Sequence, residues 1–273
     1  MKEDNKVCQR HPRAESIRIR ESLLDHFRTG IVAEAGLFAH GRGEAFDYLI
    51  GERTTHAASR ALDAAAAALL TAKHPVISVN GNTAALVAKD VVRLANVVGA
   101  KIEVNLFYRS ANREIAIMKL LERAGANQVL GIGEDASARL PEIQSERRRV
   151  DSRGILIADV VLIPLEDGDR TQALVQSGKE IVAVDLNPLS RTARFATITI
   201  VDNIVRAMPT LVEKAEKLKK ENRKKLDHIR ASFNNYENLA ESLKLIDQRL
   251  RRLAETNQLS TAYDLRSQLK ING

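Results

Sequence analysis

The sequence is poor in thiols, metal-ligand motifs and long apolar runs, and each shortage excludes a class of protein. A single cysteine, Cys8, cannot form a disulfide within the chain or a cysteine-based zinc cluster, and we interpret it as incidental. None of the six histidines belongs to an HExxH-type pair, so no zinc site of that class is expected. No run of eighteen apolar residues occurs, and the first thirty residues lack the apolar core of a signal peptide. We therefore expect a cytoplasmic globular protein without membrane contact.

Three common nucleotide and hydrolase motifs are also missing. No GxxxxGK[ST] loop occurs, which excludes a Walker-type ATPase. The segments 41–43 and 131–133 have the form GxG but lack the third glycine of the dinucleotide fingerprint, so NAD is not expected. No GxSxG elbow of an α/β-hydrolase is present either.

The net charge of +7 is concentrated near the C-terminus. Residues 209–273 hold 14 of the 42 basic residues but only 9 of the 35 acidic ones. Acids and bases there are spaced three or four residues apart, as in Glu216–Lys220 and Glu221–Lys225, which is typical of a solvated helix face. With four tyrosines, six phenylalanines and no tryptophan, stacking surfaces for single strands are scarce. We therefore expect no nucleic-acid partner.

The central part of the chain alternates between strand and helix patterns. Short β-branched runs predict six strands, at 76–79, 101–105, 128–132, 159–164, 180–185 and 197–201. Helical patterns at 83–98, 112–124 and 170–177 separate several of them. Such alternation implies right-handed crossovers and a parallel sheet covered on both faces. The predicted fold class is therefore α/β, a Rossmann-like doubly wound, mostly parallel sheet with an N-terminal helical layer and a C-terminal helical extension.

Helical segments precede and follow this core. Residues 16–73 are predicted to be helical apart from a glycine-rich turn in 39–52, and no strand pattern returns after Pro209. We divide the chain into an N-terminal helical segment (1–74), a nucleotide- and substrate-binding core (75–208) and a C-terminal helical extension (209–273). An apolar stripe with helical spacing runs along the extension, at Leu239, Leu243, Ile246, Leu250 and Leu253. Such a stripe must pack against the sheet domain or against a second subunit, and because the core looks complete without it, we predict a dimer contact.

Polar residues follow the predicted strands, where open α/β sheets bind ligands. The segment 80–83 opens a helix, so its N–H groups suit an anion, although Asn82 would also serve as a plain cap. Arg109 could bind the carboxylate or phosphate of a substrate, or it could simply pair with an acidic side chain at the surface. The acids at 166–169 suit Mg²⁺ or an amine, while Asp169 alone would cap the next helix. The candidates for substrate binding are Asn80, Gly81, Asn82, Thr83, Asn105, Arg109, Asp167, Asp169 and Arg170.

The end of the fifth predicted strand favours nucleotide binding. Asp185 at a strand terminus suits a ribose hydroxyl, and Asn187 can both donate to and accept from an adenine edge. The residues expected to complete this pocket are Arg191, Thr192, Asp202, Asn203 and Ile204.

The stretch 39–52 concentrates charge around small residues. It holds a histidine, an arginine, three acids and three glycines, with Arg42 between Gly41 and Gly43. Glycine neighbours let an anion approach the guanidinium closely. A helix-connecting turn whose charges face water remains the alternative.

Six longer segments together resemble one family. They are HPRAESIRIRE (11–21), GLFAHGRGEAFDYLIGE (36–52), VNGNTAAL (79–86), ADVVLIPLEDGDRT (158–171), DLNPLSRTAR (185–194) and VDNIVRAMP (201–209). Over essentially the whole chain the sequence is similar to the archaeal phosphopantothenate synthetases, the 4-phosphopantoate–β-alanine ligases of coenzyme A biosynthesis. The resemblance implies a homodimer that condenses 4-phosphopantoate with β-alanine and cleaves ATP to AMP and pyrophosphate.

The resemblance also implies site residues and a reaction path. Matched motif by motif, the family's ATP contacts fall on Arg20, Arg42, Asp185, Leu186, Asn187, Arg191, Thr192, Asn203 and Ile204. The carboxylate would attack the ATP α-phosphate to give an acyl-adenylate, and the amine of β-alanine would then displace AMP. Arg20 and Arg42 would stabilise charge, and Mg²⁺ is expected to bridge the triphosphate. No metal ligand and no base for β-alanine is assigned.

Two other functions remain open at this point. One is another ATP-using enzyme of small phosphorylated acids, for example a kinase. The other is a nucleotide-sensing protein that binds nucleic acid through the basic C-terminal segment. The nucleotide products distinguish them, because the ligase yields AMP and pyrophosphate, the kinase ADP, and the sensor neither.

Overall fold

The computed structural model describes residues 13–256. The strands are β1 (Pro75–Val79), β2 (Lys101–Val104), β3 (Ala138–Arg139), β4 (Arg149–Val150), β5 (Val160–Pro164), β6 (Glu180–Val184) and β7 (Ile198–Ile200). The helices are α1 (Ala14–Arg28), α2 (Glu34–Ile50), α3 (His56–Thr71), α4 (Gly81–Val98), α5 (Ala111–Arg123), α6 (Gly168–Gln176), α7 (Arg191–Phe195), α8 (Ile204–Leu218), α9 (Arg223–Ala231) and α10 (Asn235–Glu255).

Five strands form one parallel sheet in the order β2-β1-β5-β6-β7. The chain builds outward from β1 to β2, then crosses back and builds the other way from β5. The direction of winding therefore reverses between β1 and β5, and crevices at such a reversal are where open α/β sheets bind ligands. The predicted fold class is confirmed.

The sheet is covered on both faces because its strands are apolar on both. Strands β1 and β5 are buried along their whole length. One face packs under α3, α4, α5 and α8, and the other under α6 and the segment 140–158. Helix α3 is nearly all alanine from 64 to 68, and these small side chains are fully buried where α8 and α9 pack on it.

Two details of the predicted secondary structure are wrong. Residues 39–50 belong to α2, not to a turn, and Gly51 ends that helix in the left-handed conformation. Residues 128–132 form no strand, because only Leu130 pairs with β2, through hydrogen bonds to Ile102 and Val104. The short antiparallel pair β3–β4 was not predicted.

The C-terminal helices pack onto the N-terminal ones. Helix α9 lies on α3, and α10 contacts α2, α3, α7 and β7. The proposed three-part division stays a prediction, and α8 crosses its boundary at 208/209. Among residues 13–256, no helix has the length and hydropathy needed to cross a membrane.

Candidate functional site

Asp185 follows β6 directly and organises a tight turn. Its carboxylate accepts hydrogen bonds from the Ser190 hydroxyl and, at 2.9 Å, from the Asn187 backbone N–H. Burial raises the pKa of Asp185, while those hydrogen bonds and the positive charge of Arg42 oppose the rise. A carboxylate can accept about four hydrogen bonds, so Asp185 retains capacity for a ligand hydroxyl.

Arg42 reaches the same edge of the sheet from α2. Its side chain is exposed, and within residues 13–256 it makes no hydrogen bond or ion pair. Its positive charge nevertheless acts on Asp185 and favours the ionised carboxylate. Helix α2 therefore presents an uncommitted guanidinium at the carboxyl end of β6.

The start of α8 is fixed to α2 by a buried polar cluster. Asn203 caps α8 by accepting from Val205 N–H and donates to Asp47 at 2.8 Å. Arg206 bridges Asp47 and Asp202, with 2.8 Å to the latter. Burial raises the pKa of Asp202, and Arg206 is among the groups that oppose this. These contacts bring the predicted residues Asn203 and Ile204 close to α2.

Arg20 lies on α1 and is already paired. It forms an ion pair with Glu44 of α2 at 3.0 Å, and Ser16 donates to the same carboxylate at 2.6 Å. Burial pushes the pKa of Glu44 upward, but the hydrogen bonds from Ser16 and Arg20 outweigh it and the pKa is lowered. Arg20 is half-exposed, so an anion would meet it as part of an Arg–Glu pair.

The remaining predicted nucleotide residues link α7 to α6. Leu186 is buried, and Thr192 donates from its hydroxyl to the Glu166 carbonyl at 2.8 Å. Arg191 pairs with Asp169 at 2.7 Å, and both side chains are largely exposed. The predicted cap by Asp169 is wrong, because the N-cap position of α6 is residue 167 and Asp169 lies in the first turn.

Asn80 joins β1 to β5 at the reversal of the sheet. It caps α4 by accepting from Thr83 N–H at 3.0 Å, so the predicted cap by Asn82 is wrong. Its amide nitrogen donates to the carbonyls of Pro164 and Leu165. Asn80 and Thr83 are both buried, and they hold the two strand ends together.

Gly81 and Asn82 hold the loop between α1 and α2 against α4. A Cβ at Gly81 would lie 2.3 Å from the Ile31 carbonyl oxygen, so only glycine fits here. Asn82 donates to the Gly36 carbonyl at 2.8 Å. The N-terminus of α4, which the sequence predicts as a possible anion site, is thus covered by the protein's own backbone.

Arg170 is the centre of a buried ionic cluster beneath the reversal. Its side chain is 1% exposed, pairs with Glu166 and donates to Ser78 at 3.0 Å. Arg147 pairs with Glu166 at 2.9 Å and with Asp167 at 2.7 Å. Burial lowers the pKa of Arg170 and raises that of Asp167. Arg147 is not among the residues predicted from sequence, and its only local signal is a run of three arginines.

Asn105 and Arg109 are also committed to the fold. The Asn105 amide donates to two backbone carbonyls in 147–149, both at 3.1 Å. Arg109 pairs with Glu114 and donates to the Gly131 carbonyl at 2.6 Å, with its side chain 4% exposed. These two residues therefore position the segments after β2.

The predicted residues thus separate into two groups. Among the nucleotide candidates, Arg42 on α2 acts on Asp185 through its charge, α2 is bonded to Asn203 at the start of α8, and Arg42 and Asp185 keep free binding capacity. The substrate candidates near β1 and β5 are mostly buried and bonded within the fold, although Nε and Nη2 of Arg170 have no hydrogen-bond partner among the described residues. Within residues 13–256 no group of three or more histidine, cysteine or acidic side chains is arranged to hold a metal ion.

Comparison with known proteins gives one consistent match. The family model described as phosphopantothenate/pantothenate synthetase matches residues 57–249. A 4-phosphopantoate–β-alanine ligase of Thermococcus kodakarensis is 53% identical over 250 residues, which cover 91% of this chain and 95% of that protein. A ligase of the same name from Methanosarcina mazei is 49% identical over 244 residues, which cover 89% and 95%.

Proposed function

Because this chain belongs to the phosphopantothenate/pantothenate synthetase family, we propose that it condenses 4-phosphopantoate with β-alanine at the expense of ATP. The observation that carries the proposal is the convergence of three segments distant in sequence. The charge of Arg42 on α2 acts on Asp185 after β6, and Asp47, five residues further along α2, accepts a hydrogen bond from Asn203 at the start of α8. The activity for which the relatives are named supplies the substrates.

The reaction requires activation of a carboxylate. A carboxylate oxygen of 4-phosphopantoate attacks the α-phosphorus of ATP, the bond to the pyrophosphate oxygen breaks, and an acyl-adenylate forms. The β-alanine nitrogen then attacks the acyl carbon, and AMP leaves with the electron pair of the broken carbon–oxygen bond. Amide formation releases protons from the amine. No protein nucleophile takes part, so positioning and charge compensation carry the catalysis.

The nucleotide-binding roles follow from which side chains keep free capacity. Arg42 offers two parallel donors to phosphate oxygens, and Arg20 adds a second, partly neutralised cation. Asp185 accepts a hydrogen bond from a ribose hydroxyl, and Asn187, two residues further on, bonds to the adenine ring. Arg191, at the start of α7, is exposed and paired only with exposed Asp169 and Gln172, contacts that a phosphate can replace.

Mg²⁺ is part of the proposal as the partner of the triphosphate. Mg²⁺ in such sites takes most of its ligands from phosphate and water and one or two from carboxylates. Asp185 is assigned to the ribose and lies under the positive charge of Arg42, so no acid of this chain is assigned to the metal. A homodimer and a cytoplasmic location complete the proposal.

Isotope exchange tests the first half-reaction. Enzyme, ATP, 4-phosphopantoate and Mg²⁺ without β-alanine are expected to exchange labelled pyrophosphate into ATP. With ¹⁸O in the substrate carboxylate, one label is expected in AMP after full turnover. Label in inorganic phosphate together with ADP would indicate an acyl-phosphate route and contradict the proposal. ADP with a phosphorylated acid would instead favour a kinase.

A further inference from the structure

A cavity between α1, α2 and the start of α8 adjoins the proposed nucleotide site. It is lined by Glu15 and Ser16 of α1, His40 and Glu44 of α2, and Asn203 and Arg206 of α8. Asn203 also belongs to the predicted nucleotide contacts. The cavity is therefore next to the place where the acyl-adenylate would form.

The cavity combines opposite charges in a way that suits a zwitterion. Glu15, Glu44, Asp47 and Glu52 contribute carboxylates to its wall, and Arg206 contributes a guanidinium. An amino acid such as β-alanine carries an ammonium group and a carboxylate two methylene groups apart. Among the described residues Glu15 and Glu52 form no ion pair and match the ammonium. Arg206, which already bridges Asp47 and Asp202, offers the carboxylate its positive charge.

His40 is the unsatisfied group in this wall. Its Nε2 atom is buried and has no hydrogen-bond partner among the residues that the structure describes. An imidazole nitrogen left unpaired in a polar cavity is available to accept a proton from a bound ligand. Arg20 is already committed to Glu44, so it does not occupy Nε2.

We propose that this cavity is the β-alanine subsite and that Nε2 of His40 accepts the proton that the ammonium must lose before it attacks. This inference rests on the proposed function and adds to it the base for the second half-reaction. The neutral amine then attacks the acyl carbon, the bond to the adenylate oxygen breaks, and AMP leaves with its electron pair. The second proton leaves the new amide nitrogen for solvent, and His40 later returns its own proton there.

The surroundings of His40 favour its neutral form. Burial lowers its pKa, and nearby Arg20 acts in the same direction, while Glu44 and Asp47 oppose them. Glu15 from α1 and Arg206 from α8 face the same cavity. Helix α4 meets α2 through the uncharged Asn82, and Arg249 of α10 lies at Gly51, at the far end of α2. A neutral imidazole near pH 7 is the state that a general base requires.

The variant His40→Gln tests the role in each half-reaction separately. Pyrophosphate exchange is expected to stay within about twofold of the parent, whereas kcat with β-alanine falls by about 100-fold. In the parent, kcat with β-alanine is expected to rise with pH as His40 loses its proton. The pH profile of the variant is expected to lack this rise. His74→Gln, an exposed histidine before β1, is the matched control and should change neither activity.

Hydroxylamine provides the decisive probe, because it is largely unprotonated at pH 7 and needs no base. The rate at which it traps the acyl-adenylate as a hydroxamate is expected to be equal in the parent and in His40→Gln. Equal loss of exchange and of both amine reactions would show that His40 is structural and would overturn the inference. So would unchanged turnover with β-alanine. Absence of exchange in the parent would instead refute the proposed function itself.

Discussion

Arginine side chains in this protein occupy two different environments, and the environment decides what each can do. Arg170 is enclosed with Glu166 and Ser78, and burial closes it off from solvent. Arg42 is exposed and uncommitted within the described residues, although its charge reaches Asp185. Both arginines keep donors without a hydrogen-bond partner among the described residues, but those of Arg170 are buried and those of Arg42 face solvent, where a phosphate can reach them.

Replacing Arg42 by lysine tests this distinction. Lysine keeps the charge but loses the planar fork that binds two phosphate oxygens at once. We expect kcat/KM for ATP to fall by about tenfold or more, which corresponds to one good hydrogen bond to a charged group. Steady-state kinetics with varied ATP measure it. Arg93→Lys, on exposed α4 surface, is the control and should match the parent; a similar result for Arg42→Lys would place Arg42 outside the site.

Glu103 makes the stability of the fold depend on pH. It is fully buried on β2 and accepts from the N–H groups of Asp151 and Ile155, at 3.0 and 2.6 Å. Burial raises its pKa from 4.5 to about 7, against the effect of those hydrogen bonds and of Arg170. The folded state thus holds this proton more tightly than the unfolded state does. The stability it contributes is complete below pH 4.5 and is lost as the pH rises through 7.

The expected loss from Glu103 between pH 5 and pH 8 is on the order of 3 kcal/mol. Urea unfolding of the parent and of Glu103→Gln at both pH values isolates it, because every other titrating group is shared. The variant should lose less stability than the parent on going to pH 8. Glu142→Gln, an exposed acid, should behave as the parent. Parallel pH dependences in parent and Glu103→Gln would contradict this account.

At the scale of elements, α2 shows how packing decides helix formation. Glycines weaken a helix interior, yet α2 continues through Gly41 and Gly43. It lies against α1, α4 and α10, and the Arg20–Glu44 and Asn203–Asp47 contacts hold it on two sides. The same packing places His40 in the wall of the cavity between α1, α2 and α8.

Two glycine-to-alanine substitutions should act in opposite directions. A Cβ at Gly41 would meet no atom within 4 Å beyond its own stretch of helix, so Gly41→Ala is expected to stabilise the protein by about 0.5–1 kcal/mol. At Gly81 the same carbon would lie 2.3 Å from the Ile31 carbonyl oxygen, so Gly81→Ala should destabilise it by about 1–3 kcal/mol. Urea unfolding compares both with the parent. Equal effects of the two would contradict the close approach of the loop to α4.

At the scale of the whole molecule, α10 has one covered row of apolar residues and one open row. Leu239 is buried, and Ile246 and Leu253 are partly buried on the body of the protein. Leu243 and Leu250, one heptad apart, are 37% and 47% exposed. The predicted stripe is thus divided, because only part of it packs within the chain. The open row is the part available to a second copy.

Charging the open row should therefore change the oligomeric state but not the fold. We expect Leu243→Asp with Leu250→Asp to give a monomer with unchanged helix content, because burying two carboxylates in a dimer contact would be strongly unfavourable. Light scattering after gel filtration and circular dichroism measure both. Gln248→Asp, exposed on another side of α10, is the control and should remain dimeric. A double variant that stays dimeric would place the contact elsewhere.

The sequence alone determined the parts of this protein that depend on local pattern. β-branched runs alternating with helices specify a parallel doubly wound sheet, because strands buried on both faces must be apolar throughout. Motifs at strand ends located the nucleotide candidates, since the carboxyl ends of parallel strands share one edge. The strand predicted at 128–132 does not form, because an apolar run becomes a strand only where a neighbouring strand pairs along its length. Here β2 pairs with it at Leu130 alone.

Only the tertiary structure decided which polar groups are free. Arg42, Arg109 and Arg170 cannot be distinguished by residue type. Burial and ion pairing commit Arg109 and Arg170 to the fold, whereas the Arg42 side chain is exposed to solvent. The glycines of α2 indicated a turn, and packing on three sides made a helix of them instead. The cavity around His40 joins residues from 15 to 206, so no local pattern contains it. Such sites depend on long-range contacts, which a sequence encodes only through the whole fold.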